Sequence, residues 1–172
     1  MDKIETIDLK RILILGNSGS GKSTLAKELM VEHGLAHRDL DEIAWLPVVP
    51  PQRSPLIDSR DRIAKFTGLN REWVIEGCYT DLLEIASQDA SEVVFLNLSI
   101  CDCIENAQSR PWESHKYESK EAQDENLELL ISWIKQYQDR EDTFSLKSHL
   151  EFFNAFVGRK VMYRANDRSP IF

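Results

Sequence analysis

The chain has 172 residues, of which 42% are hydrophobic and 29% charged, the composition of one globular domain with a real core. Its net charge of −8 argues against a protein built to hold duplex nucleic acid, which needs clustered Lys and Arg to neutralise phosphates. No apolar run approaches the length of a membrane span and no secretory core opens the chain, so no membrane partner is expected and a reducing cytoplasm is the expected location.

Residues 1–9 read as a short lead. Arg11 to Leu15 is apolar and β-branched, the pattern of a buried parallel strand. Gly16-Asn17-Ser18-Gly19-Ser20-Gly21-Lys22-Ser23 then fits G-x-x-x-x-G-K-[ST], and Thr24 follows. Leu25 to His33 are strong helix formers with Leu25/Leu29 and Ala26/Met30 stacked, and Gly34 stands where a helix ends. The motif therefore lies between a strand and a helix N-terminus. There its amides form an anion nest, Lys22 reaches the β- and γ-phosphates, and Ser23 offers its hydroxyl to Mg²⁺. ATP with Mg²⁺ is the expected ligand, held by residues 16–24.

Leu35 to Leu40 is a second predicted strand, ending in Asp39-Leu40-Asp41-Glu42. Strand alternation would put Asp39 and Asp41 on one face at the ligand edge of the sheet. One would hold a water on Mg²⁺ and the other, Asp41, would accept a hydroxyl proton. Ala44 to Pro51 is a proline-rich loop. Ser54 as cap and Pro55 as first residue open a helix to about Thr67, with Gly68 near its end. Arg53, Arg60 and Arg62 meet either an anionic substrate or solvent. Glu72 to Gly77 is a third strand, and Glu76 stands where an acid holding a Mg²⁺ water belongs. Thr80 caps a short helix through Ala86, Val93 to Leu98 is the fourth strand, and Ser99 caps the next helix with Asp102 three residues on.

Pro111 breaks that helix. Residues 112–142 hold nine acids and four bases, a net −5. Asp124 to Gln138 reads as one amphipathic helix with Leu127, Leu130, Ile131 and Ile134 on a stripe. Ser148-x-x-Glu151 is a capping box before a helix carrying Leu150, Phe152, Phe153, Phe156 and Val157, taken as core; Gly158 ends it. Lys160 to Arg164 is a fifth strand and Ala165 to Phe172 a loose tail. Cys78, Cys101 and Cys103 are odd in number, and Cys101-x-Cys103 reads as two small residues near a helix start, because structural zinc wants four ligands. His33 favours the negative end of a helix dipole, while His37, His115 and His149 have no partner visible in sequence. Trp45 and Trp112 pack, line an acceptor pocket or stack adenine.

Alternation of strands and helices without a repeat or long linker predicts one domain over 1–172: a three-layer α/β/α fold with a five-stranded parallel sheet and a helical lid at about 110–142. Gly16 to Thr24, Asp39-Leu40-Asp41, the segment Trp73-Val74-Ile75-Glu76-Gly77-Cys78-Tyr79 and Arg110 resemble the adenylate kinase-like and shikimate kinase-like phosphate-loop proteins. Leu40-Asp41-Glu42-Ile43-Ala44-Trp45 resembles a segment of the small FlaR-like topology-modulation branch. The resemblance covers about residues 10–110. It implies a kinase core with ATP and Mg²⁺, Asp39 or Asp41 near the acceptor, and Arg110 from a lid neutralising the transferring phosphoryl. The lid is acidic beyond Arg110 and the D-G-F-P-R segment is absent, both departures from a nucleoside monophosphate kinase. The guanine-reading N-K-x-D is missing too, which leaves adenine by default. The expected function is phosphoryl transfer to a small hydroxylated or phosphorylated metabolite. The rival is a nucleotide-gated regulator with a protein partner, motivated by the acidic lid. The acceptor and the oligomeric state stay open.

Overall fold

A computed structural model describes residues 9–168. Its sheet holds five strands: β1 (Arg11–Gly16), β2 (Ala36–Asp39), β5 (Trp73–Gly77), β6 (Glu92–Leu96) and β7 (Arg159–Tyr163). They lie in the order β2-β5-β1-β6-β7, and every pairing is parallel. β1 and β5 are buried on both faces because helices cover both. Leu13, Leu15, Trp73, Ile75, Val93 and Phe95 face one layer, with α3 (Leu56–Leu69), α4 (Thr80–Ser87) and α8 (Leu146–Ala155). Ile12, Ile14, Val74, Val94 and Leu96 face the other, with α1 (Lys22–His33), α5 (Ile100–Ser109) and α7 (Leu127–Lys135). The two-residue period of a strand sorts the core into these layers. The three-layer α/β/α architecture and the five-stranded parallel sheet are as the sequence predicts. No helix among the described residues is long and apolar enough to cross a membrane.

Several boundaries differ. Asp41 is not on a strand: β2 stops at Asp39, and Asp41 opens the one-turn helix α2 (Asp41–Ala44). The proline-rich loop is closed at its base by a two-residue antiparallel ribbon, β3 (Trp45–Leu46) with β4 (Gln52–Arg53). Pro55, with ψ of 136°, is the cap and not the first helical residue, and α3 runs through Gly68 to Leu69. Thr80 is helical, and its hydroxyl donates to the Thr143 carbonyl at 3.0 Å and so does not cap. The single helix expected over 124–138 is broken at Asn126 into α6 (Lys120–Glu125) and α7, followed by a 3₁₀ turn at Gln136–Gln138. Ser145, not Ser148, caps α8, accepting the Ser148 N–H at 3.0 Å. Val157 is 94% exposed, beyond the helix end, and is not core. Ser99 caps α5 as expected, accepting the Asp102 N–H at 3.0 Å. In the segment read as a loose tail, Asn166 and Asn106 exchange amide hydrogen bonds and Arg168 pairs with Glu28. The expectations for residues 1–8 and 169–172 lie outside the described residues.

Candidate functional site

The loop between β1 and α1 sits at the carboxyl edge of the central strand. Gly21, at φ 89°, precedes the first residue of α1, so Lys22, Ser23 and Thr24 form the opening of that helix. Gly19 has φ 77°, and a Cβ there would lie 2.2 Å from the Cys103 carbonyl oxygen, so the loop rests directly on the backbone of α5. Asn17 is almost fully buried. Its Oδ1 accepts the Ser18 N–H at 2.8 Å and its Nδ2 donates to the Ile134 carbonyl at 3.1 Å, tying the loop to α7. Asn106 of α5 donates to the Gly19 carbonyl at 2.9 Å. Lys22 folds over the loop and donates to the Asn17 carbonyl at 2.9 Å.

A cavity of about 540 Å³ opens above the loop. Its floor includes Gly19, Gly21, Lys22, Ser23 and Thr24, and one wall carries Asp39, Asp41 and Glu76. The other wall is the lid segment, through Arg110, Glu113, Lys116 and Tyr117. The sequence-predicted Lys22, Asp41 and Arg110 are thus brought to one space, along with Ser23, Asp39 and Glu76.

Asp39 and Asp41 converge through the turn and not through strand alternation: the Asp41 N–H donates to Asp39 Oδ1 at 2.8 Å. Asp39 is paired in register with Glu76 on β5. Burial, with Glu76 and Asp41 nearby, raises the Asp39 carboxyl to about 6, against the opposing pull of Lys116. Burial acts upward on Asp41 as well, but Lys116, a hydrogen bond from Tyr79, and Lys22 outweigh it and hold Asp41 below the usual carboxylate range. The Tyr79 hydroxyl donates to Asp41 Oδ1 at 2.5 Å and accepts from Trp45 Nε1 at 2.7 Å. Burial, then Cys78 and Asp41, raise the Tyr79 hydroxyl far above its ordinary value, so it stays a donor.

Lys116 projects from the lid into this acidic wall. Its Nζ lies 3.2 Å from Asp41 Oδ2, 3.4 Å from Asp39 Oδ2 and 3.8 Å from Glu113 Oε1. Burial would lower its pKa, but Asp41, Asp39 and Glu113 more than compensate, so it is firmly protonated. Arg110 pairs with Glu113 at 2.8 Å. Glu76 is 2% exposed; its Oε1 faces His37 Nε2 at 3.5 Å yet has no hydrogen bond. Among the described residues no three His, Cys, Asp or Glu side chains form a ready-made metal site. The donor set facing the loop is nevertheless hard oxygen (the Ser23 hydroxyl and the carboxylates of Asp39, Asp41 and Glu76), and Glu76 keeps one buried oxygen unused. That set fits Mg²⁺ held mainly through water and phosphate.

Arg53, Arg60 and Arg62 do not reach the cavity. Arg53 pairs with Asp81 at 2.9 Å and lies over the Tyr79 ring; Arg62 donates to the Glu42 carbonyl. Arg60 lines a larger cavity, about 920 Å³, with Arg11 and Arg71 at the opposite, amino-terminal edge of the sheet. Cys103 is buried under the loop and Cys101 is exposed. Trp45 packs against Tyr79, while Trp112 is 47% exposed and donates to the Tyr117 carbonyl.

The sequence reading missed Lys116, Tyr79 and His149. Tyr79 had a signal, since it follows the third main strand by two residues. Lys116 had none, being one base in an acidic stretch. His149 is fully buried, with Nε2 donating to the Cys78 carbonyl at 2.9 Å and Nδ1 accepting from Tyr137 at 2.7 Å. Burial lowers it to about 4, so it is neutral.

A phosphate-loop protein of the α/β/α kinase fold is the class these features define. No protein-family model matches the chain and no curated protein matches it. Among solved structures, a shikimate kinase from Acinetobacter baumannii in complex with shikimate is 15% identical, with 93% of this chain covering 86% of that one at a TM-score of 0.57. A shikimate kinase from Bacteroides thetaiotaomicron is 16% identical, with 92% and 90% covered and a TM-score of 0.52. A sugar kinase from Janibacter sp. HTCC2649 is 13% identical, with 91% and 85% covered and a TM-score of 0.50. At these identities the likeness is one of fold, and it says nothing of the topology-modulation branch.

Proposed function

We propose that this protein is a Mg²⁺-dependent phosphotransferase that moves the γ-phosphoryl of ATP to a hydroxyl of a small acceptor. The observation that supports the reading is the placement of the phosphate loop and the Asp39/Asp41 pair on one cavity. The loop amides and Lys22 bind the phosphates. Ser23, with Asp39 and Glu76 through water, would hold Mg²⁺, which supplies charge neutralisation for the phosphates. Asp41, whose carboxylate form the Tyr79 hydrogen bond and Lys22 also favour once an acceptor takes the place of Lys116, accepts the hydroxyl proton. Arg110 exchanges its Glu113 partner for the transferring phosphoryl. Catalysis of this kind is mostly positioning and charge, which a pre-formed loop and a lid can supply. The place of action is the cytoplasm.

The test is ADP release from Mg-ATP, alone and with a panel of nucleosides, nucleoside monophosphates, polyols, polyhydroxy acids and amino alcohols, beside a Lys22→Ala control. Acceptor-dependent ADP that vanishes in the control is the expected result. No turnover with any acceptor, while ATP still raises the melting temperature of the parent but not of the control, overturns phosphotransfer and leaves a nucleotide-gated regulator.

A further inference from the structure

Resting on the phosphotransfer reading, we propose that the acceptor is a cation as well as an alcohol: an amino alcohol or amino sugar whose ammonium sits between Asp39 and Asp41. The protein's own Lys116 already fills that place. A primary ammonium on a flexible stem is held at 3.2 and 3.4 Å from the two carboxylates, with Glu113 at 3.8 Å. An acceptor that reaches Asp41 must displace Lys116. Asp39 and Asp41 then face the cavity with their shared counter-charge gone, a state that an incoming ammonium relieves and an incoming carboxylate or phosphate makes worse.

The surrounding cations do not reverse that sign, and Mg²⁺, which would approach Asp39 and Glu76 through water, comes with the excess negative charge of the ATP phosphates. Arg110 pairs with Glu113 at 2.8 Å, Arg168 with Glu28 at 3.0 Å and Arg53 with Asp81 at 2.9 Å. Lys22 and Lys27 line the cavity from α1, on the side of the phosphate loop, where the nucleotide's own charge engages them. The acceptor half is therefore acidic and the nucleotide half basic, and each rejects the other's ligand by like charge. The reaction balances without the amine: the bond from the γ-phosphorus to the ADP oxygen breaks, a bond from phosphorus to the acceptor hydroxyl oxygen forms, and the hydroxyl proton passes to Asp41. The ammonium keeps its proton and serves only to orient the acceptor.

The experiment uses two sets matched in shape, glucosamine, glucose and glucuronate, and ethanolamine, ethylene glycol and glycolate. Each compound is titrated calorimetrically near neutral pH into the full chain saturated with Mg²⁺ and a non-hydrolysable ATP analogue, and ADP release from Mg-ATP is followed in parallel. In at least one set the amine is expected to bind about tenfold or more tighter than its neutral partner, with no binding of the acid. Glu113→Gln is expected to weaken the amine severalfold relative to the neutral compound. Equal affinity across charge, preference for an acid, or no binding by either amine overturns the acceptor class. Turnover with an acid or a neutral polyol in those cases leaves the phosphotransfer reading standing. Amine-selective binding without ADP release supports the acceptor class and removes phosphotransfer instead.

Discussion

His149 offers a test of the packing that holds the site, independent of any activity. It lies at 0% exposure on α8, joins Cys78 at the cavity edge to Tyr137, and is kept neutral by burial with a pKa of about 4. An unfolded histidine titrates near 6.5, so below that pH the unfolded chain takes up a proton that the fold refuses, and stability falls as pH falls. The loss is complete near pH 4 and amounts to on the order of 3 kcal/mol; between about pH 7.5 and 5.5 it is on the order of 1 kcal/mol. Asp39 works the other way. Raised to about 6 from 3.8, it binds a proton in the fold that the unfolded chain has given up, so it adds stability of similar size over the same descent. The parent's midpoint should therefore change little with pH, because the two contributions oppose each other. In His149→Gln the hydrogen bonds to Tyr137 and Cys78 are weakened, and the variant is less stable at pH 7.5. It should regain on the order of 1 kcal/mol relative to the parent at about pH 5.5, since only the Asp39 contribution remains. Urea unfolding at both pH values measures this directly. A gap between parent and variant that does not change with pH would refute the neutral buried histidine.

Gly19→Ala places a Cβ against the Cys103 carbonyl at φ 77°, costing about 1–2 kcal/mol in backbone strain alone and more for the displaced loop. Its melting temperature should fall by at least about 4 °C and its stabilisation by ATP should disappear; a protein that melts normally and still binds ATP would remove the loop from the site. Tyr79→Phe deletes the hydroxyl between Trp45 and Asp41, which should raise the Asp41 pKa and move the acidic limb of the kcat/KM profile upward, with kcat/KM down about tenfold. An unchanged profile would mean that Asp41 is not the base. Ile134→Ala empties a fully buried position beneath the loop and should cost about 2–5 kcal/mol, read as a lowered urea midpoint at constant slope.

Local chemistry decides which parts were legible in the sequence. The phosphate loop, its strand and its helix were readable because glycines, an apolar run and a helical stripe all coincide within about two dozen residues. β7 was readable as a strand, but its place beside β6 depends on a chain return that no local signal specifies. Asp41 reached the right cavity by the wrong route, since strand alternation and a tight turn after Asp39 both bring two carboxylates together. Ser148 lost the cap to Ser145 because both are serines three residues apart and the choice depends on where Phe144 and Leu146 pack. Lys116 and His149 were illegible for one reason: each draws its meaning from partners more than 70 residues away in sequence, Asp39 and Asp41 for the lysine and Cys78 for the histidine.

The lid is joined to the phosphate loop at both of its ends, and its acidic composition belongs to its outer face. Just before it, α5 supplies the Cys103 backbone on which Gly19 rests and the Asn106 amide that holds the Gly19 carbonyl. Toward its end, α7 supplies the Ile134 carbonyl to Asn17. Between these anchors the lid sends two cations into the cavity, Arg110 and Lys116, and one acid, Glu113, that contacts both. All eight of its other acids, Glu118, Glu121, Asp124, Glu125, Glu128, Asp139, Glu141 and Asp142, lie on the exposed side. Net charge over the segment therefore misreports the face that matters. The acidic total describes a solvated surface, while the inward face is basic toward the carboxylate wall. An arginine-poor lid and a phosphate-loop chemistry are compatible once charge is assigned by face and not by count.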